Sequence, residues 1–191
     1  MNVIGVVGRN ASGKDELLDY LQERCGLPVL SVGDIARRLA REEGVRPTRE
    51  NLHEISEEYI ERYGPQYFAE RLITRIEEEG WDVVGITGIR TPADVATLRQ
   101  HFGDDLLLIH VEVGDPALRF ERTQSRDSAR DPDSYKEFLR KGEEEEQLFH
   151  ISEAIEEADL TIRNDASLET FHERIEETLL DGALADELEC D

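Results

Sequence analysis

The apolar run Val3-Ile-Gly-Val-Val7 leads straight into Gly8-Arg-Asn-Ala-Ser-Gly13-Lys14-Asp15, and a helical pattern follows from Lys14. Gly8, Gly13 and Lys14 fit the spacing GxxxxGK. Glycines at these places let successive backbone N–H groups turn inward around phosphate oxygens, and the N-terminus of the following helix adds partial positive charge. Lys14 then reaches the outer phosphates. Strand, loop and helix in this order constrain the chain more than any other feature, because such a loop sits at the carboxyl end of a buried parallel strand. A tight glycine turn without a ligand is the competing reading.

The rest of the chain repeats the same alternation. Val29-Leu30, Val83 to Ile86, Leu106 to Val113 and Leu160 to Ile162 read as further buried strands. Segments of 3.6-residue period lie between them: Lys14 to Arg24, Asp34 to Glu43, Asn51 to Arg62, Tyr67 to Glu79, Ala93 to Phe102, Ala117 to Arg126 and Leu168 to Leu180. Thr91-Pro92 marks the start of the helix after the third strand. The pattern predicts a three-layer αβα sandwich around a five-stranded parallel sheet. One domain over 1–182 is expected, with a solvated acidic tail over 183–191. Ser125 to Glu146 breaks the alternation with charges and reads as a mobile surface excursion, Glu143 to Glu146 being a solvated helix face.

Charge narrows the ligands. Asp and Glu number 45 against 22 Lys and Arg, for a formal net charge of -23. Of the cations only Lys14, Lys136 and Lys141 are lysine. Unfocused binding to nucleic acid or an anionic membrane needs a basic face, which such a chain lacks, so an anionic ligand must be held locally. The balance resembles proteins of high-salt cytoplasms, where concentrated cations screen self-repulsion. No apolar run is long enough to span a membrane, and a cytoplasmic location is expected. Cys25 and Cys190 lie far apart and indicate neither a disulfide framework nor a zinc site. His53, His101, His110, His150 and His172 are scattered without metal or triad spacing, and His110 reads as a core or edge residue.

Two positions depart from the usual phosphate-loop pattern. Asp15 stands where a Ser or Thr hydroxyl ordinarily ligates Mg²⁺, and Thr87 ends the third strand where an acid is ordinarily found. One hydroxyl place has become acidic and one acidic place a hydroxyl. Asp15 and Thr87 are therefore expected to exchange roles around one Mg²⁺; the rival reading is loss of catalysis.

These motifs together resemble the P-loop nucleotide kinases of the adenylate kinase and dephospho-CoA kinase type, and most closely an archaeal group of kinase-like ATPases. The resemblance runs from about Met1 to Leu180. It rests on the loop, Ser31-Val-Gly33-Asp34-Ile-Ala-Arg37, Gly88-Ile-Arg90-Thr-Pro92 and Arg119-Phe-Glu-Arg122. It implies a P-loop NTPase fold with acceptor-binding helices over about 33–80 and a short helical lid over about 119–146. Gly8, Arg9, Asn10, Ala11, Ser12, Gly13, Lys14 and Asp15 would hold ATP, and Asn164 with Asp165 would border the adenine. Arg37 and Arg90 would hold the acceptor. Arg122 and Arg126, with Arg119 and Arg130 behind them, would close over the triphosphate. A guanidinium suits phosphate on physical grounds alone, being permanently charged and bidentate. Each assignment has a plainer competitor: a pair between Arg37 and Asp34 three residues back, a surface role for Arg90, an Arg-rich helix balancing the glutamate run, and an ordinary turn and N-cap over Asn164 to Ser167. Asp34 is the candidate general base, or else only orients the acceptor or pairs with Arg37. The five cations Lys14, Arg37, Arg90, Arg122 and Arg126 are expected to converge on one cleft while the acids coat the outside.

The function expected is ATP- and Mg²⁺-dependent phosphoryl transfer to a small phosphate-bearing acceptor, as in a nucleotide or nucleoside monophosphate kinase. An ATP-binding regulatory protein without turnover and an ATPase without a small acceptor are the alternatives. Neither a nucleic-acid polymer nor a membrane is an expected partner, and the sequence leaves the oligomeric state open.

Overall fold

The structure is a computed structural model and describes residues 2–125, 132–185, 187, 188 and 190. Strands β1 (Asn2–Val7), β2 (Val29–Ser31), β3 (Val83–Thr87), β4 (Leu106–Glu112) and β5 (Leu160–Arg163) form one sheet in the order β2-β3-β1-β4-β5. Every neighbouring pair is parallel, with Val3 level with Val84 on one side and Leu106 on the other. The loop-bearing strand β1 is thus central and buried on both faces, which is why it reads as an unbroken apolar run.

Side chains alternate across a strand, so each strand feeds two cores. Val3 and Val7 face a layer built from helices α2 (Val32–Glu42), α3 (Arg49–Tyr63), α4 (Tyr67–Glu79) and α5 (Pro92–Phe102). Ile4 and Val6 face the opposite layer, where α1 (Lys14–Cys25) contributes Leu17, Leu18 and Leu21. Helix α5 opens on a full capping box, Thr91 and Asp94 bonding reciprocally to each other's backbone with Pro92 in the first turn. Burial raises the Asp94 carboxyl above the ordinary range, against the pull of its Thr91 and Arg90 hydrogen bonds.

The described residues of the excursion after β4 are mostly helical. Helix α6 (Pro116–Ser125) is followed, beyond residues 126–131, by α7 (Tyr135–Phe149). Ser134 caps α7 by accepting from the Glu137 amide at 3.3 Å, and Phe138 is buried beside Phe120 of α6, ring centroids 5.7 Å apart. A short helix α8 (Ile151–Glu156) follows, turning off α7 at His150, whose φ is 52°. After β5, α9 (Leu168–Ile175) packs Phe171 and Ile175 beside α1 and runs into a π-helical segment, Glu176–Ala183.

Three expectations are corrected here. Among the described residues past 183 the chain is not a wholly solvated tail: Leu184 is buried, Leu188 packs on the α1 side core, and Cys190 forms a disulfide with Cys25 at the end of α1, a pairing that the wide separation of the two cysteines did not indicate. The tail alternates its acids with leucines, and those leucines dock it where the two cysteines meet. Glu146 likewise leaves the solvated face assigned to the glutamate run, because Arg9 of the loop reaches it. Among the described residues no helix is long and apolar enough to cross a membrane.

Candidate functional site

The strand ends of β1, β3, β4 and β5 meet at the phosphate loop, the place where open α/β sheets hold ligands. The loop rests on Asn164, which follows β5 and is 5% exposed. Its amide donates to the Glu112 carbonyl at 2.8 Å, and its side-chain Nδ2 donates to the Ser12 carbonyl at 2.8 Å. Its remaining acceptors are met by Arg122, whose Nη2 donates to the Asn164 carbonyl at 2.9 Å and to Oδ1 at 3.0 Å. Asn164 comes so close that a Cβ on Gly13 would collide with Nδ2, and Gly13 lies at φ 96° as N-cap of α1. Glycine is required there twice over, by space and by conformation. Ser12 is 1% exposed, and its hydroxyl has no hydrogen-bond partner among the described residues.

Above this floor sit the charged residues. Lys14 is mostly buried, and its Nζ lies 3.7 Å from Asp15 Oδ2. The other Asp15 oxygen accepts from Thr87 Oγ1 at 2.5 Å. The two departures noted in the sequence, 72 residues apart, are therefore in contact. A carboxylate and a hydroxyl at one point, largely open to solvent, are hard oxygen donors of the kind Mg²⁺ takes, and a Mg²⁺ bound with phosphates needs only one or two protein ligands. The absence of any three-residue His, Cys, Asp or Glu metal cluster among the described residues is compatible with that. Behind them α1 is crowded with acid: burial and then the charges of Asp15, Glu16 and Glu23 hold Asp19 above the ordinary carboxylate range.

On the β2–β3 side, Ser31 caps α2 by accepting from the Gly33 amide at 3.1 Å. Arg37 donates through Nε and Nη2 to Asp34 Oδ1, at 3.0 and 2.6 Å. Arg90 is exposed, its guanidinium 5.5 Å from the ring centre of Phe149, at the end of α7. His53 of α3 meets the same ring edge-on at 6.4 Å, so Phe149 bridges α3 and the segment after β3.

Each described cation of the five expected to converge has a partner of its own. Arg37 and Arg90 are held by Asp34 and Phe149, and Arg122 braces the loop floor. Arg126 and Arg130 lie outside the described residues. Asp165 accepts from Arg174 at 2.7 Å, a bond that lowers its pKa below the usual range. Asn164, expected at the adenine, is buried beneath the loop with its side chain engaged by Ser12 and Arg122.

Other residues do face the loop. Cavities of about 390 and 330 Å³ both have Arg9 and Arg119 in their walls. The larger reaches Phe138, Lys141 and Glu146 of α7; the smaller reaches Ser12, His110, Glu112 and Ser152. Burial, and then the charge of Arg9, makes Arg119 easier to deprotonate than a free arginine. Its guanidinium lies 5.3 Å from the ring centre of Phe138. His110 is held below its usual range by burial and by Arg9, against Glu112. Neither Glu146 nor Ser152 stands out in the sequence: one is indistinguishable within a run of four glutamates, and the other is a lone serine in a connecting helix.

A family model described as AAA domain matches residues 7–139. A "UPF0200/UPF0201 protein" of Archaeoglobus fulgidus is 37% identical, across 99% of this chain but only 58% of that protein's length. A "UPF0200 protein" of Halobacterium salinarum is 35% identical, across 94% of this chain and 93% of the relative. Among solved structures, shikimate kinase from Bacteroides thetaiotaomicron matches with a TM-score of 0.54 at 15% identity, covering 92% of this chain and 97% of that one. At that identity the likeness concerns the fold.

Proposed function

This chain belongs to the UPF0200 family and carries the AAA-domain phosphate loop, and from its site we propose that it is an ATP-dependent phosphotransferase acting on a small phosphate-bearing acceptor. The observation that carries the reading is the floor of the loop: Asn164, Gly13 and Ser12 fix the loop's backbone at a helix N-terminus, with Lys14 beside it. The kinase name of the shikimate kinase neighbour agrees with the reading without supplying it.

In this reading the loop amides and Lys14 hold the donor phosphates. Asp15 and Thr87 would hold Mg²⁺, which neutralises charge between the outer phosphates. Arg37 and Arg90 present guanidinium groups to the acceptor from the β2–β3 side, each in exchange for its present partner. The acceptor oxygen forms a bond to the γ-phosphorus as the β–γ bridging bond breaks and ADP leaves; Asp34 is the group placed beside Arg37 to take the acceptor's proton. Such transfer needs positioning and electrostatics rather than a covalent enzyme intermediate.

One feature favours a second reading, a nucleotide-binding protein without turnover: the Asp15 carboxylate stands close to Lys14 where a neutral hydroxyl is usual. A transfer panel separates the two. Mg-ATP is offered with nucleoside monophosphates, nucleosides and dephospho-CoA at low and molar KCl. Transfer to one acceptor class is the expected result; ATP binding with transfer to none defeats the kinase reading. Asp15→Asn tests the metal assignment, which fails if the dependence on Mg²⁺ is unchanged.

A further inference from the structure

Arg9 is the first variable residue of the loop, and the donor site described above uses only its backbone. Its side chain extends to α7 and α8. Nη2 donates to Glu146 Oε2 at 2.9 Å and to Ser152 Oγ at 2.8 Å. Ser152 in turn gives Glu146 two hydrogen bonds, from its amide to Oε1 at 3.1 Å and from its hydroxyl to Oε2 at 2.9 Å. Both charged side chains remain partly open, Arg9 at 38% and Glu146 at 32% exposure, and both border the larger cavity.

Three facts set this pair apart from a surface salt bridge. First, Glu146 does not depend on Arg9 to satisfy it, since the two Ser152 donors stay if the guanidinium leaves. Second, Arg9 faces Arg119 across the cavities, and Arg119 Nε is buried with no hydrogen-bond partner among the described residues. Arg119 thus brings a second guanidinium, with a donor still unused, to the cavities that Arg9 borders, alongside Glu145 and Glu146 in the larger and Glu112 and Glu156 in the smaller. Third, Asp15 places a carboxylate beside Lys14, so the lysine of this loop meets a phosphate with part of its charge already offset. A second cation on the loop itself would restore what Asp15 removes.

We propose that Arg9 is a ligand for the donor's phosphates, stored on Glu146 and Ser152 until a triphosphate takes it, and that Glu146 is its positioning residue. The guanidinium has donors enough to trade a carboxylate for a phosphate and binds either bidentately. The exchange passes between two partly solvated ion pairs, so neither state strands a buried charge. Glu146 and Ser152 lie on two helices joined only by His150, and the carboxylate stays with Ser152 on α8 after Arg9 departs. This inference rests on the donor reading given above.

The test is the dissociation constant of Mg-ATP, by calorimetry at fixed KCl, for the wild-type chain, Lys14→Ala, Arg9→Ala, Glu146→Gln and the double variant Arg9→Ala/Glu146→Gln. Arg9→Ala is expected to weaken binding about tenfold, the scale of one charge-assisted hydrogen-bonded contact. Glu146→Gln is expected to tighten it by a similar factor, because the competitor for the guanidinium is gone. The double variant is expected to match Arg9→Ala, since Glu146 acts only through Arg9. Tightening that persists without Arg9 would be a general effect of removing negative charge and overturns the proposal, as does Arg9→Ala that binds like wild type. Ser152→Ala, which strips one acceptor from Arg9 without altering charge, should tighten binding about threefold, and covers a Glu146→Gln that does not fold. Should the wild-type chain fail to bind Mg-ATP, the donor reading falls and takes this inference with it. Binding lost in Lys14→Ala but indifferent to Arg9 and Glu146 overturns this inference alone.

Discussion

The floor of the phosphate loop, the donor side of the proposed reaction, and the β2–β3 flank, its proposed acceptor side, are built in opposite ways. Under the loop, Asn164 is buried and bonded to Ser12, Glu112 and Arg122, residues drawn from three other stretches of chain. On the β2–β3 side, Arg37 rests on Asp34 one turn away and Arg90 lies exposed against Phe149. Long-range contacts around a glycine fix the first region before any ligand arrives. The second holds its cations on partners that a phosphate can outbid. A site divided in this way can bind its donor on a rigid template and leave the acceptor to assemble the remainder.

The comparison can be broken from the donor side first. Gly13→Ala must place a methyl group on Asn164 and hold alanine at φ 96°, and it is expected to cost roughly 2–4 kcal/mol of stability and all measurable Mg-ATP binding, by urea unfolding and calorimetry. Asn164→Ala strips the Ser12 carbonyl of its buried donor and should cost about 1–3 kcal/mol in urea unfolding. On the acceptor side the effects on stability shrink. The Arg37–Asp34 pair is largely solvent-screened, so Asp34→Ala should shift unfolding by less than about 0.5 kcal/mol while lowering transfer. An Asp34→Ala chain destabilised as much as Asn164→Ala would erase the contrast.

The smallest effect concerns pH. Because His110 is held below its ordinary value of 6.5, the folded chain takes its proton less readily than the unfolded chain. Its contribution is complete above the unfolded pKa and is lost as pH falls through that value toward the lower folded one. Thermal unfolding between pH 7 and 5 should be flatter for His110→Gln than for wild type; identical slopes would show that His110 does not carry the dependence.

What could be read in the sequence follows the same division. Strand periodicity and the loop spacing gave the parallel sheet, its five strands and the cradle, since each is encoded within a few residues. The meeting of Asp15 with Thr87 was legible too, because complementary departures at two motif positions imply proximity. Contacts made by unremarkable residues at long range were not. Nothing local distinguishes Glu146 from the three glutamates before it, or predicts that the leucines of the tail dock and bring Cys190 to Cys25. The adenine contact expected of Asn164 comes from the resemblance alone, whereas its place under the loop depends on the pairing of β4 with β5.

The most direct test of the division is titration of Mg-ATP into wild type, Asn164→Ala and Arg37→Ala by calorimetry, without any acceptor. A donor site built by the fold predicts binding about tenfold weaker in Asn164→Ala, and unchanged within about twofold in Arg37→Ala because an exposed pair contributes little. Loss of affinity in Arg37→Ala with Asn164→Ala unaffected would contradict it.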